Sequence, residues 1–365
     1  MGGFDAQGPI PAAIANLCRM ELSMGIGYAG GHKKSAALVR DLESAGLDVA
    51  WVAEAYSFDA PSYMGYLAAQ TQRVKIAAGI LPIYTRTPTL LAMTAAGVDA
   101  LSDGRCILGL GASGPQVIEG FHGVPYDRPL ARTREIIEIC RDIWKREAPL
   151  THDGPIYRLP LPADQGTGLG KALKLINHPV RPSIPIFVAS LGEKNLELTA
   201  ELADGWLPVF FMPEKAEQVF GPSLAAGKAK RDPSLGPLQI NAGGPVAIGE
   251  EKDVAHLRDL ARPGMALYIG GMGAKNRNFY NSLVRRYGFE AEAEKIQELY
   301  LAGNKKEAEA AVPTEMLEQT SLIGPESYVK ERIQAFAAAG VTMLSITPVG
   351  GDPVSTVEKI KSWIG

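Results

Sequence analysis

Residues Val74–Gly114 read VKIAAGILPIYTRTPTLLAMTAAGVDALSDGRCILGLGASG, and this stretch decides the fold. Its first part, Val74–Ile80, is short and apolar, which is typical of a buried strand. Thr87 followed by Pro88 predicts a helix start. The threonine hydroxyl can accept from unpaired N–H groups, and proline at the first helical position gives up a donor that has no partner. The helix that follows is expected to end at Gly104.

The stretch closes on a second apolar strand that leads into the small residues Gly111, Ala112, Ser113 and Gly114. The same alternation of strand and helix recurs along the chain. Eight strands are predicted, at Leu22–Tyr28, Val49–Ala53, Val74–Ile80, Cys106–Leu110, Ile186–Ala189, Gly205–Val209, Leu238–Ile248 and Met343–Thr347. Such alternation favours a parallel α/β sheet, and eight repeats favour a closed (β/α)8 TIM barrel over an open doubly wound sheet. Ligands of such barrels bind at the carboxyl ends of the strands.

Two long segments interrupt the barrel pattern. Pro149–Pro185 is rich in proline and glycine and has no clear period, so we expect a functional lid or wall. Leu257–Thr320 is expected to be a helical insertion. Residues 1–19 lack the basic start and long apolar core of a signal peptide, and we interpret them as an N-terminal leader or extension. Residues 20–365 would then form one barrel domain with irregular insertions at its C-terminal face.

The composition narrows the class of protein. The chain has 365 residues, of which 46% are hydrophobic and 21% charged, with a net charge of −3. This balance predicts neither a nucleic-acid surface nor a membrane surface, and the longest apolar runs are strand-sized. The three cysteines and five histidines have no metal-ligand spacing, so we expect no metal site and a reducing, cytoplasmic setting. A small-molecule substrate is the expected partner.

The glycine-rich turn Gly109–Gly114 matches the letters G-x-G-x-x-G, but its context argues against a dinucleotide fold. Pro115 and the loop Gly120–Pro129 stand where a helix should open, and Glu135 and Glu138 lie in a helix instead of ending a strand. The small residues still allow backbone N–H groups to approach an anion or a flat ring.

Other strand ends carry candidate site residues. A turn with the same character comprises Ala189, Ser190, Leu191 and Gly192. It is either a phosphate cradle at a helix start or a plain connection. Glu54 ends a strand, where its carboxylate would bind a ligand hydroxyl or pair with a lysine or arginine. Phe210 and Phe211 are either core residues or the wall of a pocket.

Together these segments resemble the luciferase-like monooxygenase superfamily, and within it the oxidoreductases that use the deazaflavin coenzyme F420. The resemblance covers Met20–Gly365 and is carried by WVAEAY (Trp51–Tyr56), the strand exit Gly79–Pro88, LSDGRCILGLGASGP (Leu101–Pro115), YRLPLP (Tyr157–Pro162) and ADGWLPVFF (Ala203–Phe211). It implies a barrel that holds a flavin or deazaflavin in its open end. An FMN-dependent monooxygenase and a non-catalytic flavin-binding protein stay open as alternatives.

The resemblance also implies roles for individual residues. Gly79 and Ile80, followed by Leu81, match a bulge with a non-prolyl cis peptide against the cofactor ring. Glu54 matches an acidic residue that contacts the deazaflavin. The segments that line the cofactor side chain and phosphate match Gly111, Ala112, Ser113 and Gly114 together with Ala189, Ser190, Leu191 and Gly192.

The same resemblance leads to expectations about the proton donor and about dimerisation. Reduction by a hydride also needs a proton, for which Glu54 is the first candidate donor and Tyr56 the alternative. Tyr28 and Ser113 also follow strand ends. The family commonly dimerises, and the apolar residues expected on the outer faces of two helices are Leu67, Ala68, Leu90 and Met93.

Departures from the family pattern leave the substrate open. Sugar-phosphate dehydrogenases of the family have a histidine where this chain has Ala55, and a glutamate where it has Ser113–Pro115. Methylenetetrahydromethanopterin reductase has an acidic residue at the end of its first strand, near Gly27 here. Neither substrate is therefore assigned.

Overall fold

The computed structural model describes residues 20–27, 29–273, 275 and 278–365. The predicted leader and Tyr28 lie outside the described residues. The strands are β1 (Glu21–Ile26), β2 (Val49–Val52), β3 (Lys75–Ala78), β4 (Leu81–Pro82), β5 (Cys106–Gly111), β6 (His152–Asp153), β7 (Arg158–Leu159), β8 (Ile186–Ala189), β9 (Gly205–Leu207), β10 (Gln239–Ile248), β11 (Leu322–Gly324) and β12 (Met343–Pro348).

The α-helices of the described residues surround these strands. They are α1 (His32–Ser44), α2 (Ala60–Gln70), α3 (Pro88–Leu101), α4 (Pro115–Gly120), α5 (Pro129–Lys145), α6 (Glu193–Leu202), α7 (Ala216–Lys228), α8 (Glu251–Val254), α9 (Arg262–Ala266), α10 (Phe279–Arg286), α11 (Glu290–Leu301), α12 (Lys305–Ala310), α13 (Thr314–Gln319), α14 (Glu326–Ala338) and α15 (Pro353–Ile364). No helix in these residues is long and apolar enough to cross a membrane.

Within the described residues, eight strands close a parallel barrel in the order β1-β2-β3-β5-β8-β9-β10-β12. The ring is completed where Glu21 of β1 lies opposite Met343 of β12. The short β4 continues β3 past a bulge and pairs with β5, and β11 pairs with β10. Each predicted strand overlaps one barrel strand, so the prediction of a TIM barrel is confirmed. The rim at the carboxyl ends of these strands is called the mouth below.

Side-chain alternation along the strands produces two separate cores. Residues that face outward pack under the helices in one large cluster that includes Leu22, Ile76, Leu108 and Ile186. Residues that face inward fill the barrel, and they are Val49, Trp51, Ala77, Ile107, Phe187 and Met343. This inner cluster packs across the interior of the barrel.

One glycine of the glycine-rich turn is required by packing. A Cβ atom on Gly109 would lie 1.8 Å from the carbonyl oxygen of Ala78, so only glycine lets β5 approach β3 here. A Cβ on Gly111 would lie 2.9 Å from the side chain of Ile80. Part of the G-x-G-x-x-G pattern is therefore explained by contact between strands.

Local signals placed α3 correctly, since the Thr87 hydroxyl accepts from the N–H of Leu90 at 3.2 Å. The outward orientation predicted for Leu67 and Ala68 is wrong, because both are buried within the chain's own core. They lie where α2 packs against its neighbours. The apolar character of a residue does not by itself show whether its side of the helix is covered by the same chain or faces outward.

The long connection and the insertion contain structure that the sequence did not reveal. Residues 149–185 include the hairpin β6–β7, whose strands are too short to show a period. Buried Glu135 of α5 anchors it by accepting from the N–H groups of Ile156 and Tyr157 and by contacting His152. The insertion contains α9–α13 and a π-helical turn, Leu267–Gly271, and it follows β10 at the mouth.

Candidate active site at the barrel mouth

The interior of the barrel is open at the mouth. Gly25 lies opposite Trp51 in the register of β1 and β2, so a side chain on Gly25 would point inward as Trp51 does. Gly25 is nevertheless exposed, and no heavy atom lies within 4 Å of the position of its missing Cβ. Trp51 packs edge-on against Phe187, with ring centroids 5.4 Å apart, and forms the floor. There is therefore free space beside Gly25 above this floor.

The bulge between β3 and β4 forms one side of this opening. The Gly79–Ile80 peptide bond is cis, as the resemblance implied. The N–H of Gly79 donates to the Val52 carbonyl at 2.7 Å, and Trp51 lies 3.4 Å from the position of a Cβ on Gly79. Gly79 and Ile80 are half-buried, whereas Leu81 is buried and its side chain packs under the helices. Gly79 and Ile80 therefore border the opening, whereas the Leu81 side chain is turned away from it; their contact with a cofactor ring stays a prediction.

Glu54 forms an ion pair beside the mouth. Its two carboxylate oxygens accept from Nη1 and Nη2 of Arg86 at 2.5 and 2.9 Å. A third donor is the N–H of Ala60 at the start of α2, at 2.8 Å. The two side chains are only 9% and 14% exposed, so this pair is shielded from water. Of the two alternatives that the sequence left open, the structure has the pairing with an arginine. The role of Glu54 as a proton donor stays a prediction.

Tyr56 lies at the exposed edge of the mouth. It is 67% exposed and its ring centroid is 6.1 Å from that of Phe121. Phe58, also exposed, packs edge-on against His32 at 5.3 Å. These exposed aromatic groups lie at the strand-end rim, where ligands of such barrels bind, and Tyr56 therefore stays a candidate site residue.

The turn after β5 lies at the mouth, because it begins at the carboxyl end of that strand. Ala112 is half-buried, whereas Ser113 is exposed and adopts the left-handed conformation, with φ 57°. Gly114 begins α4 without a side-chain cap. The hydroxyl of Tyr126 donates to the Ser113 carbonyl at 3.4 Å. Burial raises the pKa of Tyr126, so its phenol stays protonated near neutral pH.

The turn after β8 divides between core and mouth. Ser190 is buried; its hydroxyl accepts from Thr199 at 2.9 Å and its carbonyl accepts from Nε1 of Trp206 at 3.0 Å. The side chain of Ser190 therefore positions the turn and does not face a ligand. Gly192 begins α6 without a side-chain cap, so backbone N–H groups at this helix start are left for an anion. Ala189 and Leu191 are half-buried beside them.

The sequence did not identify several residues that the structure brings to the mouth. Arg86 follows β4, and Tyr126 follows α4. Tyr268 and Tyr280 come from the insertion and pack around Phe210. The ambiguity of Phe210 and Phe211 is resolved, since Phe211 is buried in the core and Phe210 is half-buried at the mouth. Only Phe210 had a usable signal, its position directly after a strand.

Comparison with known proteins gives a consistent family. A family model described as luciferase-like monooxygenase matches residues 15–343. A protein of Mycobacterium tuberculosis, named provisionally as a coenzyme F420-dependent oxidoreductase, is 40% identical over 340 residues, 92% of this chain and 97% of the relative.

Solved structures share the fold. The coenzyme F420-dependent tetrahydromethanopterin reductase of Methanopyrus kandleri superimposes with a TM-score of 0.75 at 22% identity, covering 95% of this chain and 98% of the other. The oxygenating constituent of 3,6-diketocamphane monooxygenase of Pseudomonas putida, in complex with FMN, has a TM-score of 0.63 at 18% identity, with coverage of 94% and 97%. The family model, the relative that is 40% identical and the barrel fold all agree. This chain therefore belongs to the luciferase-like monooxygenase family.

Proposed function

We propose that this protein is an oxidoreductase that moves a hydride between coenzyme F420 and a small organic substrate. The observation that carries the proposal is the opening above Trp51, where exposed Gly25 leaves room for a flat ring inside the barrel. The relative that is 40% identical over nearly the whole chain directs the choice of cofactor to F420. FMN remains the alternative, because a protein of the same fold binds it.

The residues at the mouth fit such a cofactor. The bulge at Gly79 and Ile80 and the indole of Trp51 would contact the ring, and the buried Nε1 of Trp51 has no hydrogen-bond partner within the described residues. The N–H groups at Gly192 would hold a phosphate. When bound, the deazaflavin supplies or accepts the hydride.

Reduction of a carbonyl, imine or activated alkene also needs a proton, and a side chain at the mouth is the source that we propose. The geometry favours a structural role for Glu54 over proton donation, because both of its carboxylate oxygens are held by hydrogen bonds from Arg86. We assign Glu54 and Arg86 to fixing the loops after β2 and β4. The phenol of Tyr56, two residues further and exposed to the mouth, is then the group that delivers or relays the proton.

The test begins with binding. Purified protein is titrated with F420 and with FMN, and quenching of cofactor fluorescence gives each Kd. Gly25→Phe should abolish F420 binding, since its Cβ position has no heavy atom within 4 Å and the new ring would fill the space above Trp51. Gly97→Phe is the matched control, because Gly97 on α3 also has open space at its Cβ but lies away from the mouth.

Turnover is measured next, with reduced F420 and a panel of carbonyl, imine and alkene acceptors. Consumption of reduced F420 by at least one acceptor is expected. Tighter binding of FMN with oxygen-dependent product would indicate a monooxygenase. Binding of F420 without turnover of any acceptor would indicate a non-catalytic flavin-binding protein.

A further inference from the structure

Phe210 has an unusual backbone conformation at the mouth. It lies three residues after the end of β9 and adopts the left-handed region, with φ 50°, which is unfavourable for a bulky side chain. Its neighbour Phe211 points the other way, into a buried cluster with Trp206 and Phe220. The left-handed residue thus turns one of two consecutive phenylalanines out of the core. Such conformations persist at sites where the surrounding structure enforces them.

Tyr287 of the insertion holds this conformation in place. Its hydroxyl donates to the carbonyl of Phe210 at 2.9 Å and accepts from the N–H of Met212 at 3.4 Å. Tyr287 is 3% exposed, and burial raises its pKa, so the hydroxyl keeps the proton that it donates. The clamp spans the two residues that flank Phe211, and it fixes the direction of the Phe210 side chain.

The Phe210 ring is one of three that form a wall. Tyr268 lies 6.0 Å from it and Tyr280 lies 6.3 Å from it, and the two tyrosine rings are 4.7 Å apart at 77°. This edge-to-face arrangement is the favoured one for aromatic rings. Phe279, one residue before Tyr280, lies beside Gly192, 3.6 Å from the position of its Cβ. The wall therefore stands over the mouth above the ends of β8 and β9.

Two cations of the described residues near the wall, Lys215 and Arg286, already have partners. Lys215 lies 3.3 Å from Glu315, donates to the Tyr287 carbonyl at 2.9 Å and stacks on Phe289. Arg286 lies 3.8 Å from Glu193 and donates to a backbone carbonyl. The negative faces of aromatic rings repel anions, and an anionic group brought here would lose its hydration while neither of these two described cations is free to pair with it.

We propose that Phe210, Tyr268 and Tyr280 are the substrate wall of the active site and that they select a neutral substrate with a flat, unsaturated ring. The selection rests on the proposed function, in which the mouth holds the cofactor and the substrate lies above it. Tyr287 is a positioning residue in this scheme, because it contacts the Phe210 backbone and not the substrate.

Three probes with the same fused two-ring framework test the proposal. They are 2-naphthol, which is neutral and flat, 2-naphthoate, which is anionic, and decahydro-2-naphthol, which is neutral and saturated. Each Kd is measured by saturation-transfer NMR, once with protein free of cofactor and once with protein saturated with oxidised F420. We expect 2-naphthol to bind about two- to tenfold more tightly than the other two, the factor that an aromatic pair energy of about 0.5–1.5 kcal/mol corresponds to.

Variants of the wall test which residues are responsible for the preference for 2-naphthol. Phe210→Ala should remove the preference for 2-naphthol while changing the Kd of F420 less than about twofold, since no ring stacking with the cofactor is lost. Phe210→Gly also lacks the ring but accepts the left-handed backbone, so it gives the same answer if the alanine variant is unstable. Tyr287→Phe should weaken 2-naphthol binding without eliminating it. Leu101→Ala, at an exposed site on α3, is the control and should bind like the wild type.

Equal binding of the three probes, or unchanged selectivity in both Phe210 variants, overturns the proposal. A large loss of F420 affinity in those variants also overturns it, because the wall would then hold the cofactor. Failure of the proposed function has a different signature. The wild type would then not bind F420, while the measurements on cofactor-free protein would still report on the wall.

Discussion

Replacing Glu54 with glutamine tests whether Glu54 has a structural role or acts as the proton donor. The carboxylate receives three hydrogen bonds, two from Arg86 and one from the N–H of Ala60, and both side chains of the pair are at most 14% exposed. Glutamine keeps one acceptor oxygen but removes the charge, which leaves a shielded guanidinium without its counter-charge. Loss of one partner of a buried pair costs about 3–5 kcal/mol, and with the retained oxygen we expect about 2–4 kcal/mol.

The assay is urea unfolding at neutral pH, followed by circular dichroism, for Glu54→Gln, Arg86→Gln and the double variant. The double variant should be more stable than the sum of the single losses predicts, by about 1–3 kcal/mol, because neither charge is left alone. Asp259→Asn is the control. It breaks a pair of similar length with Arg262, but Asp259 is 61% exposed, so the loss should be far smaller.

Single-turnover measurements on the same variants complete the test. If Glu54 has only a structural role, the single-turnover rate of Glu54→Gln should fall by less than about tenfold, since no acid–base group is lost. A Glu54→Gln variant of wild-type stability whose single-turnover rate falls by a hundredfold or more would refute the reasoning and restore Glu54 as the proton donor.

Three further expectations follow from the structure. Tyr56→Phe should lower the single-turnover rate by about 10²–10⁴ without changing cofactor affinity; an unchanged rate would assign the proton to water or substrate. Burial alone would raise the pKa of Glu43, but the N–H groups of three successive residues that donate to it lower that pKa on balance. The stabilisation is therefore complete above the unfolded pKa and is lost as pH falls through the folded one, so Glu43→Gln should unfold more easily at neutral pH and differ little from wild type in strong acid. We propose that exposed Leu90 and Met93 lie in a homodimer interface, and Leu90→Glu with Met93→Glu should then yield a monomer by light scattering; a monomeric wild type would contradict this.

Sequence was sufficient wherever the physical signal is local. An apolar run bounded by a turn specifies a buried strand, and Thr87 with Pro88 specifies the start of α3 through atoms only a few residues apart. Eight successive strand and helix units favour a closed barrel, so the fold could be predicted from these local signals. The cis bond at Gly79–Ile80 came from the family resemblance and was confirmed. The position of Glu54 at a strand end was also readable.

What the side chains at these ends do was decided only by the closed barrel. Arg86 is 32 residues from Glu54, and Tyr287 is 77 residues from Phe210. Nothing in either loop's own sequence selects such a partner, because the pairing exists only after the strands bring the loops to one rim. The same reason explains Leu67, whose apolar character is local but whose covered face depends on the neighbouring helices. Local periodicity determined the frame of this protein, and the contacts between distant loops at its mouth determined the site.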